Sequence, residues 1–361
     1  MANRNFIFIL ILICSAISCK RNPDILVEVK KSDFRNKTDV VINGEQVLNV
    51  IGASGCLLFD TLFMVITNDP SSQLKVFSSN TLKPIGSLCP KGRARNEFIK
   101  AILPPNQVYY NELGHVILPL MNYDAEVKEV DVTESLIEGK TIIKGVVEYS
   151  SAGGTTIYLD NRLDYRFEYI SNKYEYDEER KGVPSLYTVV QPNGKKKEIK
   201  IFDDKMDIKS ERNEIYPYIG VMYKHPSRNL VVQPFSYMEY LLYFDFDSDT
   251  KFAIHQKDAL SFNDIFDRKN KRENYYSFTD AATTENYFII LYWRGDYFLD
   301  VPDRKGAEEV LVFDWNGNYM NGFKLDRQIS RIEYDEKKHI LYGLESKEEK
   351  IYAYNLEDYL Q

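Results

Sequence analysis

Apolar pairs followed by polar turns recur along most of the chain. The second residues of six such pairs stand 41 to 69 residues apart, at Phe77, Val130, Val190, Phe244, Phe313 and Tyr354. Upstream of each pair lies a run dense in Val, Ile, Tyr and Phe, the residue types that favour β-strands. A repeat of this length is typical of propeller blades, which take about 40 to 50 residues before loops are added.

The spacing predicts an all-β fold: a six-bladed β-propeller with four-stranded blades over residues 39–361. The Asn-Gly pairs at 193–194 and 316–317 mark tight hairpins, and long amphipathic helical stretches are absent from the sequence. The last repeat stops one strand short of a complete blade. Because an open sheet edge invites aggregation, we expect residues 39–50 to add as the missing outer strand and close the ring.

The first 18 residues have the pattern of a signal peptide. Arg4 precedes an unbroken apolar run over residues 6–14, which is too short to span a membrane. The small residue Ser18 stands directly before Cys19, which resembles the lipobox of bacterial lipoproteins, with Ala16 where that family usually has Leu. The resemblance implies that Cys19 is acylated and that residues 19–38 are a lipidated tether. The alternative is a cleaved, unlipidated protein with a chance cysteine.

The net charge excludes one class of partner, and the lipid anchor indicates the compartment. The formal charge is −8, and loss of residues 1–18 removes Arg4 and no acid, which leaves −9. We therefore expect no nucleic-acid partner, since such a partner requires a basic face. The partner that the lipid anchor implies is a membrane of the bacterial cell envelope. Lys20 is not the aspartate that retains a lipoprotein at the inner membrane, so the outer membrane is favoured, and which side the protein faces stays open.

Two cysteines remain in the mature chain, Cys56 and Cys89. In an oxidising envelope they could form a disulfide, and two separately buried thiols are the alternative.

One loop carries a resemblance to a known family. Residues 92–98, Gly-Arg-Ala-Arg-Asn-Glu-Phe, look like the G-R-G-P-x-E-F signature of the six-bladed, TolB-like propeller lipoproteins of Bacteroidetes, with Ala94 and Arg95 in place of the usual Gly-Pro. The runs from Val310 to the C terminus are similar to the closing blades of that family. The resemblance covers about residues 30–361 and implies the fold and an envelope location. Most members of the family have no established activity.

The predicted strand order places the loop at 92–97 on the face that also holds the long connections of the other blades. Loops beyond about 12 to 15 residues are uncommon unless they are functional or disordered. Aromatic rings beside charged groups suit a glycan or peptide ligand, or an envelope protein. The candidate ligand-binding residues are Arg93, Arg95, Tyr165, Arg166, Trp293, Arg294 and Tyr297. Two simpler interpretations are that Glu97 pairs with an arginine to fix the crossing between blades, and that the tyrosines only cover strand ends.

Signals for an enzyme are weak. The four histidines are scattered without metal-ligand spacing, and neither a nucleophile elbow nor a phosphate-binding loop occurs, so we expect no metal and no cofactor. The preferred function is a non-catalytic binding or scaffold module anchored at the envelope. The alternative is a propeller-type hydrolase or lyase that acts on polysaccharide with carboxylates on the same face.

The lipobox generates the first testable prediction. We expect Cys19→Ala to release the protein from the envelope, because the acyl chains attach to that thiol. Membrane fractionation and immunoblotting of cells expressing each form would measure the release. If the variant sediments with membranes as the wild type does, the lipid anchor is wrong.

Overall fold

The computed structural model describes residues 26–35, 40–103, 107–123, 126–148, 156–158, 169–173, 186–190, 195–199, 201, 220–261, 264–265, 273–298 and 306–360. Three strands come first along the chain, and each of them joins a sheet made mainly of later strands. They are β1 (Glu28–Ser32), β2 (Val41–Ile42) and β3 (Glu45–Asn49).

The described strands form six sheets, which we number in chain order. Sheet 1 holds β4 (Ala53–Phe59), β5 (Leu62–Thr67), β6 (Leu74–Ser78) and β7 (Pro84–Leu88). Sheet 2 holds β8 (Tyr109–Tyr110), β9 (Val116–Met121), β10 (Glu126–Asp131) and β11 (Ile143–Glu148). Sheet 3 holds β12 (Thr156–Tyr158), β13 (Tyr169–Lys173), β14 (Leu186–Val190) and β15 (Lys196–Ile199).

The remaining three sheets take in the N-terminal strands. Sheet 4 holds β16 (Tyr223–Lys224), β17 (Leu230–Pro234), β18 (Tyr240–Asp245) and β19 (Thr250–Gln256), with β1 at its edge. Sheet 5 holds β20 (Glu273–Thr283), β21 (Tyr287–Phe298), β22 (Ala307–Asp314) and β23 (Tyr319–Ile329), with β2 at its edge. Sheet 6 holds β24 (Arg331–Asp335), β25 (Ile340–Glu345) and β26 (Lys350–Asn355), with β3 at its edge.

Apolar clusters join consecutive sheets face to face. One cluster lies between sheets 1 and 2, and others lie between sheets 3 and 4, 4 and 5, 5 and 6, and 6 and 1. The middle strands are buried on both faces, which explains why β5 and β9 are continuous apolar runs instead of alternating ones. The all-β propeller fold predicted from the sequence is confirmed. The expectation of four strands in every sheet is wrong for sheets 4 and 5, which have five.

The N-terminal segment lies against the fold instead of forming a free tether over its whole predicted length. β1 runs parallel to β19, with Glu28 opposite Phe252 and Ser32 opposite Gln256. Phe34 is buried between sheets 4 and 5, where it packs edge-on against Phe313. The predicted tether of residues 19–38 is therefore too long, because part of it belongs to the folded domain.

The segment that was predicted to close the ring contributes strands to two different sheets. Within the segment of residues 39–50, Val41–Ile42 pairs in parallel with β23 of sheet 5. The following strand, β3, pairs antiparallel with β26, so that Asn49 lies opposite Lys350. The prediction that this segment supplies the outer strand beside the C terminus is confirmed for β3. The contribution of β2 to sheet 5 was not predicted.

A buried ion pair fixes the N-terminal segment. Arg35 Nε donates to Glu239 Oε1 at 2.7 Å, and Arg35 Nη1 lies 2.9 Å from Asp258 Oδ2. The Tyr292 hydroxyl also donates to Glu239, whose side chain is only 1% exposed. Burial opposes the charge of Arg35, but the carboxylate of Glu239 outweighs this effect and raises the pKa of Arg35. The pair ties the segment to sheets 4 and 5.

A short helix follows the third strand of sheet 2. Helix α1 (Val132–Glu138) follows β10, and the Asp131 side chain caps it by accepting from the Glu134 N–H at 2.8 Å. Gly139 ends it with a φ of 64°, a conformation that glycine adopts without a steric cost. No helix among the residues described combines the length and the hydrophobicity that a membrane crossing requires.

The buried pair gives the second prediction. Arg35→Ala should lower the free energy of unfolding by about 3–5 kcal/mol, because it leaves the Glu239 carboxylate buried without its cation. Urea denaturation measures the change. Arg228→Ala is the matched control: its ion pair with Asp245 spans 3.5 Å and its side chain is 46% exposed, so we expect a loss of at most about 1 kcal/mol. Equal losses in the two variants would contradict the role of Arg35.

Candidate functional site

The first strands of four sheets surround a cavity of about 530 Å³. These strands, β4, β16, β20 and β24, are the terminal strands of their sheets, and β20 contacts both β24 and β16. The cavity therefore lies on the axis of the ring, where the edges of the sheets meet. Its polar and titratable lining comprises Ser54, Cys56, Lys100, Tyr223, Thr279, Asp280, Arg331 and Glu333.

The cavity lies at one end of the axis. Its lining comes from residues 54–57 of β4, residues 279–281 of β20 and the start of β24, from Val221 and Tyr223 at the start of β16, and from residues 100–103. Residues 100–103 belong to the connection from β7 to β8, and Ile102 pairs with Met121 at the end of β9. In a four-stranded antiparallel blade, blade-to-blade connections and the connections after second strands emerge on one face. Strand order thus puts the cavity and the loop at 92–97 on the same face.

The turns on the opposite face contact one another. Lys338, in the turn between β24 and β25, donates to the Ser79 carbonyl at 2.8 Å, next to the turn between β6 and β7. The turn between β22 and β23, which contains Asn316 and Gly317, has the same position in its sheet as the turn after β6. The predicted separation of the long connections from the Asn-Gly turn at 316–317 therefore agrees with the strand order.

Two carboxyl groups lie in the wall of the cavity. Asp280 Oδ2 accepts from the Ile332 N–H at 2.8 Å, and Asp280 Oδ1 accepts from the Tyr223 hydroxyl at 3.2 Å. Burial raises the pKa of Asp280, and the nearby charge of Arg331 opposes the rise. Burial raises the pKa of Glu333 well above its ordinary value, and the charge of Asp280 adds to that effect. The cavity therefore holds two carboxyl groups that retain protons more strongly than exposed acids do.

The two cysteines are separate. Cys56 and Cys89 are both buried free thiols, so the disulfide is wrong and the alternative of two buried thiols holds. Cys56 lines the cavity, and burial raises its pKa well above the ordinary value. The Cys89 N–H instead donates to Thr141 Oγ1 at 2.7 Å, beside α1. A thiol held in its protonated form is a poor nucleophile, which argues against cysteine chemistry in the cavity.

The loop at 92–98 is tightly folded upon itself. The Gly92 N–H donates to the Phe98 carbonyl at 3.1 Å, and the Glu97 carboxylate accepts from the Ala94 N–H at 2.8 Å. Arg93 and Arg95 are exposed, and neither forms an ion pair with a described residue. The interpretation that Glu97 pairs with an arginine is therefore wrong, because the carboxylate binds the backbone of its own loop.

Side chains beneath the loop hold it in place. Lys128 Nζ donates to the Glu97 carbonyl at 2.8 Å and lies 5.1 Å from the ring centroid of Phe98, which is fully buried. The Gln73 amide donates to the Phe98 carbonyl at 2.7 Å and accepts from the Ala101 N–H at 2.9 Å. These contacts fix the crossing between sheets 1 and 2 and thereby position residues 100–103 at the cavity.

Of the other predicted site residues, the structure describes Trp293, Arg294 and Tyr297. Tyr165 and Arg166 lie outside the described residues. Trp293 is half-buried and packs against the apolar cluster between sheets 5 and 6. Arg294 and Tyr297 belong to β21, where Tyr297 lies opposite Asn274 in β20. Residues 293–298 therefore belong to a strand and not to a long connection, because β20 and β21 continue beyond the rest of their sheet as a paired ribbon.

The sequence did not predict the residues that line the cavity, among them Asp280, Arg331 and Glu333. A signal exists in retrospect: these are charged residues in the first strands of their sheets. The Thr-Asp pair at 279–280 and the Arg-Ile-Glu run at 331–333 carry it. One edge of each first strand lies at the axis. Polar residues in these strands therefore indicate that the space at the axis is polar.

One cluster outside the cavity has metal-ligand composition. Ligand atoms of His115, Asp131 and Glu134 lie within 4.8 Å of one another. His115 Nδ1 is 2.9 Å from Asp131 Oδ2, and Lys144 forms ion pairs with both acids. Asp131 also caps α1. Because a lysine and the helix cap already use these carboxylates, the cluster is explained by the structure around it.

Comparison with known proteins supports the fold. The profile of a family described as TolB-like 6-blade propeller-like matches residues 57–337. No curated protein sequence matches the chain. A solved structure from Bacteroides fragilis NCTC 9343, a protein named for its assumed export, aligns with a TM-score of 0.53 at 10% identity, covering 91% of this chain and 98% of that one.

Two further solved structures align more weakly. Raptor from Chaetomium thermophilum aligns with a TM-score of 0.46 at 11% identity, over 87% of this chain and 29% of that one. The β-propeller domain of Cps50 (Swd1) from Myceliophteria thermophila aligns with a TM-score of 0.44 at 7% identity, over 86% of this chain and 99% of that one.

The acid in the cavity wall gives the third prediction. Folding raises the pKa of Glu333 above its unfolded value of about 4.5. The protonated carboxyl therefore contributes its full stability below the unfolded pKa, and this contribution is lost as the pH rises through the folded pKa. Glu333→Gln should therefore melt like the wild type at pH 4 and at a higher temperature than the wild type at pH 8. Calorimetry at several pH values measures this difference. Glu112→Gln, at an exposed turn, is the control. A melting difference that does not change with pH would contradict the assignment.

Proposed function

Because the chain belongs to the TolB-like 6-blade propeller-like family, we propose that it is an envelope-anchored lipoprotein that acts as a non-catalytic binding or scaffold module. In this proposal each of the six sheets is one blade of a six-bladed propeller, and the source is a member of the Bacteroidetes. The signal peptide predicted over residues 1–18, followed directly by Cys19, supports lipid anchoring in the outer membrane. The assumed export of the aligned Bacteroides fragilis protein is compatible with an envelope location.

The observation that carries the binding role is the axial cavity. Its volume of about 530 Å³ falls within the range of about 300–1,000 Å³ typical of ligand pockets. It combines charged groups, Arg331 and Asp280, with apolar surface from residues such as Val221 and Leu103. A concave site in which charged and hydroxyl groups converge beside apolar wall residues can hold a ligand that has both polar and apolar parts. We place the ligand, a glycan, a peptide or a segment of an envelope protein, at this position.

The loop face around the cavity completes the proposed site. The connection that holds Arg93 and Arg95 also supplies Lys100 to the cavity wall. Its residues would contact parts of a ligand that extend beyond the cavity, together with the earlier candidates on the same face, Tyr165, Arg166, Trp293, Arg294 and Tyr297. These contacts remain predictions.

One observation favours a second candidate function, hydrolysis or lyase chemistry on polysaccharide. Asp280 and Glu333 share the cavity, and burial raises the pKa of both carboxyl groups. A carboxyl that keeps its proton near neutral pH can act as a general acid, and an ionised neighbour can act as its base. Release of shortened glycans by the wild type and not by Glu333→Gln would favour this function over binding alone.

The fourth prediction tests the binding site. We expect thermal-shift screening of the chain against oligosaccharides and short peptides to give stabilising ligands, and Val221→Trp to abolish the shift. Val221 lines the cavity and is 41% exposed, so a larger ring there fills space without displacing the core. Leu113→Trp is the control, since Leu113 is 75% exposed in the turn between β8 and β9. A ligand that binds the Val221→Trp variant as tightly as the wild type would place the site elsewhere.

A further inference from the structure

The inner strand of sheet 4 is the shortest of the four strands around the cavity. β16 has two residues, both paired with β17, whereas β4, β20 and β24 have seven, eleven and five residues. Val221 and Tyr223, which line the cavity, lie just before this strand and at its start. Because few backbone pairs hold β16, the side-chain contacts at its two ends decide where it lies.

His225 fixes the end of β16 that lies opposite the cavity. The N–H groups of Ser227 and Arg228 donate to Nδ1 at 3.1 and 3.2 Å, so this nitrogen carries no proton. Nε2 carries the proton and donates to the Glu285 carbonyl at 3.1 Å. The buried ring also lies 4.6 Å from the ring centroid of Trp315. The neutral imidazole thereby joins the end of β16 to two turns of sheet 5.

Protonation of Nδ1 would break these contacts. A protonated Nδ1 is a donor, and it would face two N–H groups that are also donors. Burial lowers the pKa of His225 from its ordinary value of 6.5, the charges of Arg228 and Lys224 add to this effect, and the charge of Glu285 opposes it. The closed arrangement is therefore fully stabilised above about pH 6.5, and this stabilisation is lost as the pH falls below that value.

The charges around His225 are themselves paired. Arg228 lies 3.5 Å from Asp245 in β18, and the Glu285 carboxylate accepts from the Ser227 hydroxyl at 2.6 Å. Lys224 Nζ donates to the His225 carbonyl at 3.2 Å. Since the one acid next to the imidazole already has a donor, it gives the protonated ring little compensation.

The other end of β16 contacts the cavity. The Tyr223 hydroxyl donates to Asp280 at 3.2 Å, and Asp280 is part of the cavity wall. Only Lys224 separates Tyr223 from His225 in the chain. A shift of the histidine is therefore passed to the cavity wall through two peptide bonds.

We infer that His225 is a pH-sensitive latch: when its imidazole gains a second proton, the seam between sheets 4 and 5 opens at this end, β16 loosens, and the axial cavity opens further. Histidine is the side chain whose charge changes under mildly acidic conditions. The event is the local opening of one short strand, and the rest of the propeller stays folded. The inference goes beyond the proposed function, and its test needs no ligand.

Hydrogen exchange of the full chain, read by mass spectrometry and corrected for the intrinsic effect of pH on exchange, measures the opening of β16. Between pH 7.5 and pH 5 we expect the amides of residues 223–225 to lose protection several-fold, while those of β5 keep theirs. His225→Asn is the test variant, because the asparagine oxygen accepts from the same N–H groups and does not titrate. Its protection at residues 223–225 should be the same at both pH values.

The two cysteines report on the cavity. Cys56 lines it, whereas Cys89 lies beside α1. At pH 5, 4,4′-dithiodipyridine should modify Cys56 several-fold faster in the wild type than in His225→Asn, and Cys89 at the same rate in both. Comparison of the two proteins at one pH removes the effect of pH on the thiols themselves, and peptide mapping reads each cysteine separately.

A histidine at the corresponding turn of sheet 6 supplies the matched control. His339 is half-buried between β24 and β25, and His339→Asn should respond to pH as the wild type does. His225→Gln is a second variant that does not titrate, for use if His225→Asn is destabilised. Melting temperatures at pH 7.5 confirm that each variant is folded.

Four results overturn the inference. Protection of residues 223–225 that is equal at pH 7.5 and pH 5 in the wild type shows that there is no latch. The same loss of protection in His225→Asn shows that another group, such as Asp280, drives the opening. Loss of protection in β5 together with β16 shows unfolding of the domain in place of a local event. If β16 opens and the modification of Cys56 does not change, the latch does not act on the cavity. None of these results bears on the proposed function, which fails only if the ligand screen gives no binding.

Discussion

Face-to-face packing of sheets around a closed ring is the constraint on which the rest of this molecule depends. The middle strands of sheets 4, 5 and 6 are apolar on both sides because each of these sheets packs against two others, and burial of that surface is the main stabilising term in folding. The cluster between sheets 6 and 1 joins the two ends of the domain. Since the sheets meet at the axis by their edges instead of their faces, the space there is left to polar side chains.

That geometry explains where charge is tolerated. A carboxylate in a face between sheets would be surrounded by apolar groups, whereas Asp280 and Glu333 on first strands face the axial cavity and find backbone donors there. The ion pair of Arg35 with Glu239 lies away from the cavity and is buried against sheets 4 and 5. It persists because the guanidinium, the Tyr292 hydroxyl and Asp258 together satisfy the buried groups.

Local pattern was enough to predict the repeats, the hairpin at 316–317 and the strand that completes sheet 6, because apolar alternation and turn residues act over a few positions. It could not reveal β1 and β2, which are short parallel edge strands with mostly exposed side chains and no distinctive alternation. Helix α1 was missed because its seven residues follow a strand without a break. The cavity was missed because Cys56, Tyr223, Asp280 and Glu333 come from four sheets, and their convergence depends on how the whole ring closes.

The parallel pairing of β1 with β19 has a mechanical consequence. Five consecutive residues of β1 are paired in register with β19, and the chain enters this strand from its N-terminal side. A pull along β1 from that side loads its hydrogen bonds together, in shear, instead of opening them one after another. Two anchoring residues follow β1 in the chain. Phe34 is buried between sheets 4 and 5, and Arg35 forms an ion pair with Glu239. A force that pulls on the N-terminal segment is therefore transmitted to the propeller while β1 stays paired with β19.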